Sequence, residues 1–164
     1  MSVLIDIAEA IKDELNSAAW DVTFSAERSY ADWSEKLVDL NVTHVDVVPW
    51  KTSDDLQDDR GEVVYQCEVD ILIRRRFGIE EQGSDGRVHI HQMDAMVDLH
   101  QAIREFWMPS HADADQTGRR LTAVPNASWV STRNMADYVR GHFKTRQYTG
   151  WIRVTFEITR IPGS

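Results

Sequence analysis

The chain has 164 residues, 42% of them apolar and 27% charged, with a net charge of −9 and a single cysteine. That length supports one domain with a core large enough to need no disulfide or metal, and the composition excludes whole-chain disorder. The acidic balance argues against free nucleic acid as the main partner, no apolar run is long enough to span a membrane, and Cys67 suits a reducing cytosol.

The start of the chain has no basic n-region and meets an acid at Asp6, so it is not expected to act as a signal peptide. Residues 2–18 carry Leu4, Ile7, Ala8, Ile11 and Leu15 at helical spacing, which predicts an amphipathic helix with Ser2 as its N-cap. Residues 22–30 place Val22, Phe24, Ala26, Arg28 and Tyr30 on one face of a strand. A short turn or helical segment is expected over 32–40. A β-rich run at 42–48 ends at Pro49, which cannot donate to a ladder. Residues 51–61, with Asp54, Asp55, Asp58 and Asp59, read as a solvated loop whose acids lack the spacing of a calcium loop.

The clearest signal in the chain follows. Val63, Tyr65, Cys67, Val69, Ile71 and Ile73 alternate without a break against Val64, Gln66, Glu68, Asp70, Leu72 and Arg74, a strand with one face on a core. Residues 78–87 read as a glycine-rich hairpin or excursion. A second helix is expected over 88–107, with Met93, Met96, Val97, His100, Ile103 and Trp107 on its apolar stripe and Pro109 beyond its end. After a loop at 110–118, residues 129–132 suggest a short strand, 135–138 a helical turn, and 151–161 a final alternating strand. Val and Ile total 27 against 8 Leu, which favours sheet. The expected fold is α+β: a mainly antiparallel sheet of four to five strands with two long amphipathic helices packed on it, in one domain over 1–164.

Motifs that carry chemistry are sparse. There is no glycine-rich nucleotide fingerprint, no phosphate-binding P-loop, no HExxH, no GxSxG and no CxxC. Cys67 lies on the apolar face of its strand and reads as a small hydrophobe. His89 and His91 diverge if they begin a helix, so a solvated helix start is preferred to a site built on His91, Asp94 and Asp98. Arg74, Arg75 and Arg76 point alternately and read as strand-end or interface charge. No catalytic residue, cofactor or metal is expected.

Charge is unevenly spread. Residues 1–118 carry 10 Lys and Arg against 25 Asp and Glu, whereas residues 119–164 carry 8 basic groups against two acids. Such a division suggests complementary surfaces, within one fold or between copies.

The order of segments resembles the tail terminators among the neck proteins of tailed bacteriophages. The resemblance rests on an opening helix (IDIAEAIKDEL), a strand with Arg and an aromatic (FSAERSY), a segment running into a strand ending at Pro (VDLNVTHVDVVPW), a long alternating strand (RGEVVYQCEVDILIRRRF), a second helix (HQMDAMVDLHQAI) and a closing strand (GWIRVTFEITR). It is a pattern of elements over nearly the whole chain, and residues 110–150 depart from it most. It implies a virion protein made in the bacterial cytoplasm that is not an enzyme. It implies a ring of six copies that ends the tail tube, contacts the major tail tube protein and the head-side neck or connector protein, and surrounds a lumen for the genome without specific nucleic-acid recognition. Another head-closure or tail-completion subunit, and more remotely a small metal-dependent α+β enzyme, remain as alternatives. For a head-to-tail ring the candidate groups are Arg140, Lys144, Arg146 and Arg153 against Asp54, Asp55, Asp58 and Asp59, with Trp50, Phe77 and Trp107 as apolar anchors.

Overall fold

A computed structural model describes residues 2–56, 61–78, 90–110, 117–143 and 146–162. The elements, in chain order, are α1 (Val3–Ser17), β1 (Ser25–Arg28), β2 (Thr43–Leu56), β3 (Val63–Arg76), α2 (Ile90–Phe106), β4 (Ser128–Ala136), α3 (Arg140–Phe143) and β5 (Gln147–Arg160). Five strands form one sheet in the order β1-β2-β3-β5-β4.

The sheet is mixed, which corrects the mainly antiparallel expectation: β1 runs parallel to β2, while the other three pairings are antiparallel. The physical reason is the connection. Antiparallel neighbours can be joined by a few residues, whereas parallel neighbours need a crossover of about a dozen or more. Residues 29–42 form that crossover. The two main helices, of 15 and 17 residues, are ordinary in length rather than long.

Periodicity located most elements but not their ends. Ser2 occupies the N-cap position of α1 with extended backbone and no side-chain capping bond. Asn16, expected only to stop the helix, bridges it to β1: its amide donates to the Ala26 carbonyl at 3.0 Å and accepts from the Ala26 N–H at 2.7 Å. Strand β2 does not stop at Pro49, and residues 51–56, expected as loop, continue it. Two circumstances admit the proline. Strand β1 pairs with β2 only as far as Val47, so β2 is an edge at Pro49. The register also shifts between Pro49 and Lys51, making Trp50 the extra residue of a bulge. Strand β4 runs to Ala136, through two further bulges, where a helical turn was expected. The unforeseen turn α3 leads into β5, which begins four residues earlier than the alternating run suggested.

Both main helices pack on one face of the sheet. Ile7, Ile11 and Leu15 of α1 and Met96, Leu99 and Ile103 of α2 meet Val45, Val47, Cys67, Val69, Ile71, Ile152, Val154 and Phe156. Phe77 and Trp107 are wholly inside this core, Trp107 edge-on to Phe156. Burial raises the Cys67 thiol above its ordinary value, so it is an inert filler. Gly150 has a packing reason. A Cβ there would lie 2.7 Å from the His100 ring and 2.8 Å from the Tyr148 hydroxyl, which donates to the Asp137 carbonyl at 2.6 Å.

Two predictions follow from the packing. Val69 is fully buried, so Val69→Asp places an unpaired charge in the core and costs about 3–5 kcal/mol, read as a lowered urea midpoint. His100 is fully buried on α2, and loss of solvent holds its imidazole below the ordinary 6.5, against the opposing pull of Asp137 at 3.6 Å. The unfolded chain then takes up this proton more readily than the folded one. Stability therefore falls as pH drops below 6.5, and His100→Gln reduces that slope in urea titrations between pH 5 and 7.

Candidate functional site

Among the described residues, neither main helix lies on the second face of the sheet. Its floor is the alternate set of β3, namely Gln66, Glu68, Asp70, Leu72 and Arg74, which pair across to Glu157, Thr155, Arg153, Trp151 and Thr149 of β5. Charges sit in the middle of the two central strands. Arg153 grips Asp70 with two hydrogen bonds, Nε at 2.7 Å and Nη2 at 3.0 Å, and both side chains are buried. One row along, Arg74 donates to Asp46 of β2 at 2.6 Å, and the Ser29 hydroxyl donates to the other carboxylate oxygen at 3.0 Å.

Tryptophans cover these pairs. The Arg153 guanidinium lies 4.9 Å from the Trp50 ring and 5.6 Å from that of Trp151, which adds cation–π attraction to the ion pair. The crossover then folds across the face: Trp33 stacks on Trp151 at 5.9 Å and on His142 at 6.1 Å. The Leu37 N–H donates to the Gln147 side chain, and Arg76 donates to the Leu37 carbonyl. Burial lowers the His142 imidazole from its ordinary value, with Arg74 adding to the effect, and its Nδ1 lies 2.7 Å from the Thr149 hydroxyl.

The crossover therefore covers the half of this face near Trp151, and the other half is open among the described residues. The open half is a shallow groove of about 360 Å³, floored by Gln66, Glu68 and Thr155 and bordered by Lys51, Ser53, Val130, Ser131 and Arg133. A second groove, of about 350 Å³, runs beside α1 between Asp6, Glu9 and Asp13 and the segment 123–126. Its acids are paired, Asp6 with Arg160, Glu9 with Arg28 and Lys12, and Asp13 with Lys12.

The residues proposed from sequence are not brought together. Trp50 is 57% exposed on the open face. Asp54 is exposed near the end of β2, and Asp55 belongs to the same strand. Asp58, Asp59 and Lys144 lie outside the described residues, as does His89. Phe77 and Trp107 are core residues with no exposed surface to anchor a neighbour, because they close the apolar layer under the helices. Arg140 is exposed at the start of α3, and Arg146 is half-buried with a positive φ of 61°. Arg153 is spent on Asp70. The charge division of the sequence is answered in part inside the fold: Arg119, Arg133, Arg153 and Arg160, half of the basic groups after residue 118, pair with Glu14, Glu68, Asp70 and Asp6.

Sequence reasoning missed Asp70, Asp46 and the Trp33–Trp151 stack. A signal existed for the first: Asp70 and Arg153 each interrupt an apolar strand near its middle, where a lone charge needs a partner. Arg74, expected as strand-end or interface charge, is buried with Asp46. Among the described residues no group of three His, Cys, Asp or Glu could hold a metal, and no helix is long and apolar enough to cross a membrane. Comparison with known proteins returns no matching family model and no matching curated protein.

Breaking one member of the buried pair strands the other. Asp70→Ala is expected to cost about 3–5 kcal/mol, and Asp54→Ala, at an exposed site, less than about 0.5 kcal/mol. Replacing Asp70 and Arg153 together by apolar residues restores most of the loss in a urea double-mutant cycle.

Proposed function

We propose that the chain is a structural subunit of a tailed-phage neck, a ring-former of the tail-terminator kind that ends the tail tube and joins it to the head-side connector. The resemblance in element order suggests this reading. The observation that carries it here is the division of the sheet into a helix-covered face and a half-open face on which Trp50 is exposed against Arg153. A half-bare sheet with aromatic and charged side chains suits contact with other proteins, because large rigid aromatics beside arginine are the side chains that anchor interfaces.

Exposed apolar side chains add support. Of the eleven large ones exposed among the described residues, five (Tyr30, Trp33, Val38, Leu40 and Val42) fall within the crossover. Such concentration in one segment supports a contact surface there. The partners in this reading are further copies of the chain, the tail tube protein and the head-side connector protein, and the place of action is the virion.

The test is electron cryomicroscopy of virions that encode the chain. The expected result is one ring of six copies above the last layer of the tail tube. One or two copies at that position identifies a different completion subunit, and absence from the virion overturns the reading altogether. Deleting the gene is expected to give tails of uncontrolled length or tails that fail to join heads.

A further inference from the structure

We infer that neighbouring copies of the chain join head to tail, with the tip of the 29–42 crossover of one copy seated on the open half-face of the next. The inference rests on the ring reading for its partner, a second copy, and on the structure for its two surfaces.

The first surface is the crossover tip. Val38 is 88% exposed and Leu40 50% exposed, next to the exposed acids Glu35 and Asp39. The second is the groove over Gln66, Glu68 and Thr155. Its floor is polar, but Val130 from a β4 bulge borders it at 40% exposure, and Trp50 from the β2 bulge, next in sequence to Lys51 of the groove edge, is 57% exposed against Arg153 on the same face. Both bulges therefore leave an apolar side chain exposed, Val130 on the groove itself and Trp50 over Arg153. The two surfaces also complement each other in charge. Residues 32–39 hold three acids and one lysine, while Lys51 and Arg133 edge the groove. Arg133 is only loosely held by Glu68, at 3.5 Å, with more than half of its side chain in solvent.

The surfaces are distinct and well separated. The crossover is tied to Gln147 at the start of β5, whereas the groove floor includes Thr155, eight residues further along the same strand and about 26 Å away. One copy can therefore offer both at once. A contact between two different patches propagates, and closes into a ring when the rotation per subunit allows. The crossover's covered side keeps it rigid: Trp33 is stacked on Trp151, and Leu37 is bonded to Gln147 and Arg76, so little order is lost when the tip docks.

Cysteine cross-linking tests this directly, because the one native thiol, Cys67, is buried and does not compete. Val38→Cys and Val130→Cys both change exposed positions, and unchanged thermal midpoints verify that the variants fold. Under mild oxidation of full-length protein, the chain carrying both is expected to give a ladder ending in a closed hexamer. A mixture of the two single variants gives dimers only, and each single variant alone stays monomeric. Lys51→Glu with Arg133→Glu slows cross-linking about fivefold or more, and Glu35→Lys with Asp39→Lys in the partner restores part of it. Dimers of Val38→Cys alone reveal a symmetric contact and overturn the inference. No cross-link in the mixture also overturns it, and if native mass spectrometry then still finds six copies, the ring reading survives without it. A ladder that extends past six without closing keeps the head-to-tail contact and removes the ring.

Discussion

Asp70 and Arg153 face each other across the two central strands of the sheet, in a layer that excludes most water. Neither charge could stay there alone, since an isolated carboxylate or guanidinium in such a place costs several kcal/mol. Together they satisfy each other through a two-point fork, and they align β3 and β5 in a single register, because a slip by one residue would send Arg153 to the opposite face. Much of what covers this face is arranged around them. Trp50 and Trp151 sit against the Arg153 guanidinium, Trp33 stacks on Trp151, and the crossover that carries Trp33 is thereby held down on the sheet.

That arrangement explains why the two faces of the sheet differ so much in character. The helix-covered face is a layer rich in Val, Ile and Phe, with His100 of α2 buried beside it. The opposite face has no main helix to bury an apolar layer, so it combines ion pairs with aromatic planes that tolerate partial wetting. The crossover covers only the end near Trp151, because it must return to the start of β2 beside its parallel neighbour. The uncovered remainder is where the bulges at Trp50 and Val130 turn apolar side chains outward, and it is the surface on which the structural reading of this chain depends.

The charge division between the first 118 residues and the last 46 takes on a different meaning in the fold. Strand β5 lies beside β3, and Arg119 and Arg160 reach α1, so arginines late in the chain meet acids from α1 and β3. Part of the asymmetry is thus intramolecular complementarity. What is left for a neighbour is smaller and more local: Lys51 and the outer part of Arg133 on one surface, and the acids of the crossover on another.

Period-two alternation in β3 and β5 and period-3.6 spacing in α1 and α2 were legible in the sequence, because each of these elements buries one face along most of its length and its residue order must repeat accordingly. The core membership of Cys67 and Val69 followed from the same periodicity. Where an element is shaped by its neighbours, the residues were silent. Pro49 argued locally for a strand end, yet β2 passes through it, because β1 stops short and a bulge absorbs the missing donor. The parallel β1–β2 pair has no sequence period of its own and depends on where a 14-residue crossover returns the chain. Phe77 and Trp107 were plausible surface anchors by residue type alone, and only tertiary packing turns them inward. The pairing of Asp70 with Arg153, 83 positions apart, likewise exists only once β3 and β5 lie side by side, since a buried charge declares its need for a partner locally but finds that partner through the fold.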